Sequence, residues 1–246
     1  EQALASGKLG TGGTVVEASS GNTAMGLAMM ATLEGLRLKI IVRRETSPEK
    51  LSILRALGAE LVLVDGDRPP GDPESFNRKA PRVADAIPGA WFPDQHNNRA
   101  NNEAHYRTTG PEIWRQTEGK ITHFAAGLGT CGTITGTGRF LKEQQSEVQV
   151  VGVHPMDGHD IPGVRSLRQL QQTQLFRSDE YDQIVEIKDE IAYTLCLRLN
   201  REESITAGPS CSMALAGAFT CVPDEPGNVL VVIFPDNAFK YASSFV

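Results

Sequence analysis

The stretch that decides the fold reads Gly-Leu-Gly-Thr-Cys-Gly-Thr-Ile-Thr-Gly-Thr-Gly-Arg and runs from Gly127 to Arg139. It follows the apolar run Ile121 to Ala126 and leads into Phe140-Leu141-Lys142-Glu143, which is typical of a helix. This order predicts a strand, a tight turn and a helix N-terminus. Glycines let the backbone approach a ligand closely, threonine hydroxyls donate, and the amides of a first helical turn favour an anion. We therefore interpret the stretch as a phosphate-binding loop.

Two other interpretations of this stretch stay open on its spacing alone. Gly127, Gly129 and Gly132 match the dinucleotide fingerprint, and Asp157 follows the next apolar run, where an acid that binds a ribose could lie. A lone match of this kind is a weak signal. The other possibility is a glycine-rich turn that only lets the helix pack closely on the strand. A P-loop is excluded, because no Gly-Lys-Ser or Gly-Lys-Thr follows.

The composition limits the classes of function. The chain has 246 residues, enough for one large α/β domain or two smaller ones, and a net charge of −6 with acids and bases interspersed. A nucleic-acid partner is not expected, because its footprint would be a basic face. The first residues lack a basic start and an apolar core, and no apolar run approaches the ~18 residues of a span. We therefore expect neither a targeting signal nor a membrane partner.

The cysteines and histidines do not form a recognisable metal or disulfide pattern. The four cysteines lie far apart without a Cys-x-x-Cys pair, at Cys131, Cys196, Cys211 and Cys221. We therefore expect a reducing, cytoplasmic location. A second group of possible ligands comprises His154, Asp157, His159 and Asp160. Their spacing matches no ligand motif, so we expect a solvated loop and no metal.

Strand-like and helix-like segments alternate along the chain. The predicted strands are residues 14–18, 38–42, 59–64, 90–92, 121–126, 148–153, 181–187 and 228–234, and a proline-rich surface loop is predicted at 68–73. This alternation predicts parallel sheets flanked by helices. The segment 93–102 is polar and irregular, and it divides the chain. We predict a smaller α/β domain over 1–98 and a larger one over 99–246.

Three strand-to-helix turns carry short polar side chains at their tips. Besides the phosphate-binding loop, these are residues 19–23, Ser-Ser-Gly-Asn-Thr, and residues 207–212, Ala-Gly-Pro-Ser-Cys-Ser. The turn at 19–23 suits a carboxylate, because hydroxyls and first-turn amides converge there, although an ordinary helix cap explains it equally well. Ligands of open α/β sheets bind at the carboxyl ends of the strands, so all three turns could face one crevice.

Taken together, these turns resemble the cysteine synthase and cystathionine β-synthase family, the β-replacing branch of the fold type II pyridoxal-phosphate enzymes. The resemblance covers essentially the whole chain. It is strongest over four ordered segments, Glu17–Gly26, His105–Trp114, Gly127–Glu143 and Gly208–Gly217. It implies two open, mainly parallel sheets flanked by helices, as in tryptophan synthase β, and a homodimer with pyridoxal 5'-phosphate as cofactor. It also makes the dinucleotide interpretation a distant second.

The resemblance implies a role for each of several residues. The phosphate of the cofactor would be held by Gly129, Thr130, Cys131, Gly132 and Thr133. The substrate carboxylate would be held by Ser19, Ser20, Gly21, Asn22 and Thr23. Asn22 would also lie near the 3-hydroxyl of the cofactor, Gln95 beside the substrate, and Ser210 opposite the pyridine nitrogen.

The implied chemistry is β-replacement. A serine hydroxyl leaves the pyridine nitrogen uncharged, whereas an aspartate would protonate it, and the weaker electron sink favours β-elimination through an aminoacrylate to which a sulfur nucleophile adds. The implied activity makes cysteine, or a related amino acid, from an activated serine such as O-acetylserine or O-phosphoserine. The alternatives are an inactive homologue or fragment that binds or regulates, a serine/threonine dehydratase, and an NAD-dependent oxidoreductase.

Two departures from the family pattern stand out. Family members bind the cofactor through a lysine in a segment resembling Gly-Ser-x-Lys-Asp-Arg, upstream of the carboxylate loop, and only Glu1–Ala18 precede that loop here. We expect this lysine upstream of Glu1 and no catalytic residue within the chain; a protein that does not form the internal aldimine is the other possibility. The family often has glycine where this chain has Ala24, Cys131, Ser212 and Ala238, and proline where it has Arg99 and Asn102.

A replaced glycine matters only where the backbone needs positive φ, at a cost on the order of 1 kcal/mol or more. Cys131 lies inside the phosphate-binding loop. We therefore expect that loop to show strain, a shifted ligand or an empty site.

Overall fold

The structure, a computed structural model, describes residues 1–66 and 71–244 and shows strands and helices in alternation. The chain divides into two units. The first unit contains residues 1–94 and the described residues from Lys240 onward, and the second contains residues 95–239. The domain boundary predicted at residues 98 and 99 stays a prediction. Only part of the loop predicted at 68–73 is described, because residues 67–70 lie outside the described ranges.

The described part of the first unit is built on a three-stranded parallel sheet in the order β1-β2-β3. Its strands are β1 (Thr14–Ala18), β2 (Arg37–Arg43) and β3 (Glu60–Val64). Its helices are α1 (Gln2–Ala5), α2 (Asn22–Leu33), α3 (Pro48–Ala56) and α4 (Phe76–Asp85). One face of the sheet packs Ile40 and Val42 with Leu54 of α3, and the other packs Val16 and Ile41 with Ala80 of α4. Both faces are therefore covered, as the apolar strands predict.

The second unit is built, over its described residues, on a four-stranded parallel sheet in the order β6-β5-β4-β7. Its strands are β4 (His123–Gly127), β5 (Gln149–Pro155), β6 (Gln183–Ile187) and β7 (Leu230–Val232). Its helices are α5 (Ala100–Arg107), α6 (Thr109–Gln116), α7 (Gly132–Gln144), α8 (Leu167–Leu170), α9 (Asp189–Glu202) and α10 (Pro209–Cys221), with a 3-10 segment at Ser178–Glu180. A second 3-10 segment, Ala238–Ser244, begins in the second unit and ends in the first. Phe124 and Ile134 pack on the α7 side, and Ala125 and Met213 on the α10 side.

The α/β class with parallel sheets flanked by helices is confirmed. No helix in residues 1–66 or 71–244 is long and apolar enough to cross a bilayer.

Three predicted elements differ from the structure. Residues 90–92 form only an isolated bridge from Trp91 to Val15, and the predicted strand 228–234 pairs only over Leu230–Val232. The predicted single helix 103–116 is two helices, divided at Thr108 with φ −122 and ψ −68. Pro111 explains the division, because inside a continuous helix it would remove a hydrogen bond, whereas in the first turn of a new helix no bond is lost.

Candidate active site

The phosphate-binding loop joins β4 to the 13-residue helix α7. Among the described residues, the backbone amides of Gly129, Thr130, Cys131 and Thr133 have no hydrogen-bond partner in the protein. These amides lie at the N-terminus of a helix, where the macrodipole adds partial positive charge. The loop therefore suits an anion such as a phosphate.

Close packing fixes the shape of this loop. A Cβ at Gly129 would lie 2.5 Å from the carbonyl oxygen of Gly163, and one at Gly132 would overlap Asn101 Oδ1. Asn101 Nδ2 donates to Thr130 Oγ1 at 3.0 Å and to the carbonyl oxygen of Gln95 at 2.9 Å. These glycines therefore allow close packing against Gly163 and Asn101, and the bonds of Asn101 bring the main chain of Gln95 to the phosphate-binding loop.

Four described positions carry another residue where the family often has glycine. Of these, Cys131 has positive φ, with φ 68 and ψ 4. Ala24, Ser212 and Ala238 do not. Its side chain is 3% exposed and packs into the core of the second unit. Burial raises the pKa of the thiol to about 12, against smaller opposing effects of Tyr181 and Arg165. The thiol is therefore neutral near pH 7 and does not repel an anion. The expected strain lies at this residue.

His105 holds the hydroxyl of Thr133. The His105 ring bonds Thr133 Oγ1 through Nε2 at 3.2 Å and Thr109 Oγ1 through Nδ1 at 2.9 Å. Burial lowers the pKa of His105, which keeps the imidazole neutral near pH 7. Sequence reasoning assigned no role to His105, although it opens one of the four segments of strongest resemblance.

The turn at residues 19–23 belongs to the first unit and connects β1 to α2. Ser19 Oγ accepts from the amides of Gly21 at 3.3 Å and Ala24 at 3.2 Å and so holds the start of α2, whose N-cap residue is Gly21. Ser20 Oγ is buried without a hydrogen-bond partner among the described residues. Asn22 opens α2, and its Oδ1 accepts from Lys240 Nζ at 2.6 Å. The buried hydroxyl of Ser20 needs a partner that a ligand could supply.

Ser210 is the second residue of α10, and it is 6% exposed. In the described part of the chain its hydroxyl makes no hydrogen bond. A Cβ at Gly127 would lie 3.8 Å from the Ser210 carbonyl oxygen, so Ser210 lies beside the end of β4. The second unit therefore brings Ser210, the phosphate-binding loop and the main chain of Gln95 together.

Arg165 and His96 form a pair beside the phosphate-binding loop that sequence reasoning missed. The amide of Arg165 donates to the carbonyl oxygen of Leu128 at 2.8 Å, and Nη2 donates to His96 Nε2 at 3.0 Å. Burial, followed by the charge of Arg165, lowers the pKa of His96 to about 4. A guanidinium only donates, so the proton of the neutral ring is on Nδ1, which is buried without a partner among the described residues.

The residues that suggested a dinucleotide site or a metal site are bonded to other groups of the protein. Asp157 accepts from Ser166 Oγ and lies 3.6 Å from Arg168 Nε. His154 is 3% exposed, and its Nδ1 lies 2.9 Å from the carbonyl oxygen of Pro155. In residues 1–66 and 71–244, no group of three or more His, Cys, Asp or Glu side chains could hold a metal ion.

The comparisons with known proteins agree with the resemblance. Residues 1–236 match the family described as pyridoxal-phosphate dependent enzyme. Cysteine synthase B of Salmonella typhimurium and that of Escherichia coli are each 39% identical over 240 residues, which cover 98% of this chain and 78% of the relative. Cystathionine beta-synthase of Mus musculus is 35% identical over 260 residues, which cover 46% of its length.

Among solved structures, a hydrogen sulfide-producing enzyme from Fusobacterium nucleatum superposes with a TM-score of 0.88 at 27% identity, covering 98% of this chain and 82% of that one. The unpaired amides of the loop and the neutral Cys131 thiol fit the phosphate of the cofactor that this family uses, and the buried Ser210 beside the end of β4 fits its ring. The chain therefore belongs to the pyridoxal-phosphate-dependent enzymes and, within them, to the cysteine synthase and cystathionine β-synthase family.

Proposed function

We propose that the full-length protein makes cysteine, or a related amino acid, from an activated serine and a sulfur nucleophile by β-replacement. The observation that carries this proposal is the loop of unpaired amides at the start of α7, in a chain 39% identical to two cysteine synthases. O-acetylserine and O-phosphoserine are the activated serines that we propose, with sulfide as the sulfur donor.

The residues of the second unit would bind the cofactor. The unpaired amides of Gly129, Thr130, Cys131 and Thr133, with the hydroxyls of Thr130 and Thr133, would hold its phosphate. The Cys131 thiol is neutral and does not repel the negative charge of the phosphate. Ser210 would donate a hydrogen bond to the pyridine nitrogen without protonating it. When bound, pyridoxal phosphate supplies the electron sink for elimination at the β-carbon.

The loop of the first unit would bind the substrate carboxylate. Ser20 brings a buried hydroxyl without a partner in the described residues, and the amides of the first turn of α2 add partial positive charge. Gly21 and Thr23 complete this loop. Asn22 would contact the 3-oxygen of the cofactor, and Gln95 would lie beside the substrate. Ser19 keeps its hydroxyl proton to donate, because the bonds from Gly21 and Ala24 use it only as an acceptor.

The group that moves the substrate α-proton is proposed to be a lysine in a segment before Glu1, which would also carry the cofactor. The cysteine synthase B relatives are longer than this chain, since the matched residues cover 78% of each. A homodimer and a cytoplasmic location are further proposals. Light scattering of the purified protein tests the dimer, and the four free cysteines are consistent with a reducing compartment.

The test uses the full-length protein, purified with pyridoxal phosphate and given O-acetylserine or O-phosphoserine with sulfide. We expect a visible absorption band that borohydride bleaches, and formation of cysteine. Replacing Ser210 with aspartate should keep the cofactor and lower cysteine formation, since the ring nitrogen becomes protonated. A colourless protein that takes up no cofactor would refute the proposal.

One observation favours a catalytically inactive homologue as the second candidate. Cys131 takes positive φ at a position where the resemblance expects glycine. That candidate predicts a protein that binds pyridoxal phosphate weakly and forms no cysteine from either serine ester, and the same assay decides between the two.

A further inference from the structure

Three side chains from three helices of the second unit form a chain of hydrogen bonds that ends at the phosphate-binding loop. Thr109 Oγ1, at the start of α6, lies 2.9 Å from Nδ1 of His105 in α5. The other ring nitrogen, His105 Nε2, lies 3.2 Å from Oγ1 of Thr133, the second residue of α7. We call these residues the Thr109–His105–Thr133 chain. Thr133 is the member that the proposed function assigns to the cofactor phosphate.

Close packing of the helices keeps the members of this chain within hydrogen-bond distance. A Cβ at Gly136 of α7 would lie 3.0 Å from His105 Cβ, so α5 and α7 approach closely at the histidine. A Cβ at Gly110 of α6 would lie 2.8 Å from Phe140 Cγ of α7, so the residue next to Thr109 is held against α7 as well. The geometry of the chain is therefore set by helix packing.

The imidazole of His105 can direct the hydrogen bonds of the chain in two ways. Burial lowers the pKa of His105, so the ring is neutral near pH 7 and carries one proton. If that proton is on Nδ1, the ring donates to Thr109, and Nε2 accepts the hydroxyl proton of Thr133. If it is on Nε2, Thr109 donates to Nδ1, and the ring donates to Thr133 Oγ1. The hydroxyl proton of Thr133 is available to a ligand only in the second arrangement.

We propose that Thr109 and His105 are positioning residues, which together direct the hydroxyl proton of Thr133 to the phosphate of the ligand. The inference rests on the proposed function, in which Thr133 binds the phosphate of pyridoxal phosphate. The charged oxygens of a phosphate accept hydrogen bonds, so a Thr133 whose proton is given to His105 would present an acceptor to them. A hydroxyl that accepts one bond is also polarised, and it donates the next bond more strongly.

The direction of the bonds distinguishes this role from a purely structural one. Hydrogen bonds that only join α5, α6 and α7 serve equally well in either direction. A bound phosphate, in contrast, requires the proton of His105 on Nε2 and therefore a donor at Nδ1. Thr109 is that donor, although the imidazole ring separates it from Thr133. Removing the hydroxyl of Thr109 should therefore weaken phosphate binding.

The first experiment measures the dissociation constant of pyridoxal phosphate for two pairs of variants of the full-length protein. His105→Asn removes the group that faces Thr133, whereas His105→Gln places an amide donor near the position of Nε2. Thr109→Val removes the hydroxyl at similar volume, whereas Thr109→Ser keeps it. We expect binding to be about tenfold weaker in His105→Asn and about threefold weaker in Thr109→Val, because a charge-assisted hydrogen bond is lost or weakened. His105→Gln and Thr109→Ser should stay within about twofold of the parent.

The matched control is His123→Asn. His123 is the first residue of β4, at the other end of the strand from the phosphate-binding loop, and its Nδ1 bonds Thr122 Oγ1 at 2.8 Å. This variant removes a histidine bonded to a threonine in the same unit, and it should bind pyridoxal phosphate as the parent does.

The second experiment asks whether Thr109 and His105 act through Thr133. In a Thr133→Val background, neither His105→Asn nor Thr109→Val should weaken the binding of pyridoxal phosphate further. Equal losses with and without the Thr133 hydroxyl overturn the inference, because they indicate a general role in helix packing. So do His105→Asn and Thr109→Val proteins that bind the cofactor as tightly as the parent.

A third measurement uses inorganic phosphate in place of the cofactor, and it keeps the two proposals apart. The ¹⁵N NMR signals of the His105 ring, assigned by their loss in His105→Gln, report which nitrogen carries the proton. With phosphate bound, we expect the proton on Nε2 in the parent. If the parent takes up no pyridoxal phosphate, the proposed function fails, and this spectrum alone decides on the Thr109–His105–Thr133 chain. A proton on Nδ1, or a protein that binds neither phosphate nor pyridoxal phosphate, overturns the inference.

Discussion

Cys131 combines a costly backbone conformation with a buried side chain. Its φ of 68° is one that glycine adopts freely and other residues adopt at a cost on the order of 1 kcal/mol. In return, the thiol packs into the core beside Tyr181, whose hydroxyl bonds Thr135 Oγ1 at 2.7 Å. The side chain thus ties the phosphate-binding loop to the core, which a glycine could not do.

We predict that glycine is tolerated better than alanine at this position. Alanine keeps the Cβ and its strain while it loses the thiol, whereas glycine relieves the strain. Inside a helix or strand, a protein with glycine is usually less stable than one with alanine by up to about 1 kcal/mol. At Cys131 we expect the reverse, with Cys131→Gly more stable than Cys131→Ala by about the same amount. Urea unfolding followed by the fluorescence of Trp114 in the same unit measures the difference. The opposite order would contradict a strained Cys131.

The sequence predicts the residues of the loops better than it predicts the residues that hold them. Ser, Thr, Asn and Gly at the ends of strands are local signals, so Ser19 and Thr130 could be named in advance. No such local signal marks Asn101, Arg165 or Lys240. They reach the loops through contacts between distant parts of the chain, and a local pattern does not encode those contacts.

The close approach of α5 to α7 sets the position of the phosphate-binding loop at the level of elements. A Cβ at Gly136 would overlap the carbonyl oxygen of Asn102 and lie 3.0 Å from His105 Cβ. The overlapped atom belongs to backbone, so it cannot rotate away. Asn101 and His105 of α5 hold Thr130 and Thr133, and any separation of the helices would move these contacts as well.

We predict that Gly136→Ala lowers the free energy of unfolding by about 2 to 3 kcal/mol through overpacking. The matched control is Gly26→Ala in α2, where a Cβ meets nothing within 4 Å. There alanine should raise stability by up to about 1 kcal/mol through helix propensity. Urea unfolding of the two variants gives the comparison. A Gly136→Ala protein as stable as its parent would show that α5 and α7 are not in close contact.

The same elements show what periodicity can and cannot predict. Apolar runs predict β1, β2, β4 and β5, because parallel strands buried on both faces are continuously apolar. The run 228–234 is equally apolar, yet β7 pairs over only Leu230–Val232. Hydropathy indicates burial but does not report how many neighbours a strand has.

At the scale of the whole molecule, the return of the chain to the first unit is the feature that sequence reasoning did not anticipate. The division at the polar segment 93–102 treats each domain as continuous, whereas the described residues from Lys240 onward join the first unit. Short contacts from Ser47, Glu49 and Lys50 hold them there. The few residues from Lys240 onward are too short a segment to carry a periodic signal.

Acid stability is a second property of the whole molecule, and two partly buried histidines contribute to it. Burial and the charge of Arg165 lower the pKa of His96 from its ordinary 6.5 to about 4, and burial lowers that of His105. Between pH 4 and pH 6.5 the unfolded chain binds a proton at His96, whereas the folded chain does not. Stability is therefore fully present above pH 6.5 and is lost as the pH falls toward 4.

We predict that His96→Gln, which keeps an acceptor for Arg165, removes about 2 kcal/mol of the stability loss between neutral pH and pH 4.5. The amide does not titrate, so the variant lacks the proton uptake on unfolding, while His105 still contributes its share in both proteins. The measurement is a set of urea unfolding curves from pH 7 to pH 4.5 for parent and variant. Because carboxylates titrate identically in the two, only the difference between the curves reports on His96. If the two stability profiles run parallel across this range, the folded protein takes up the His96 proton at the same pKa as the unfolded chain, and the bond from Arg165 to His96 at 3.0 Å does not hold the ring neutral.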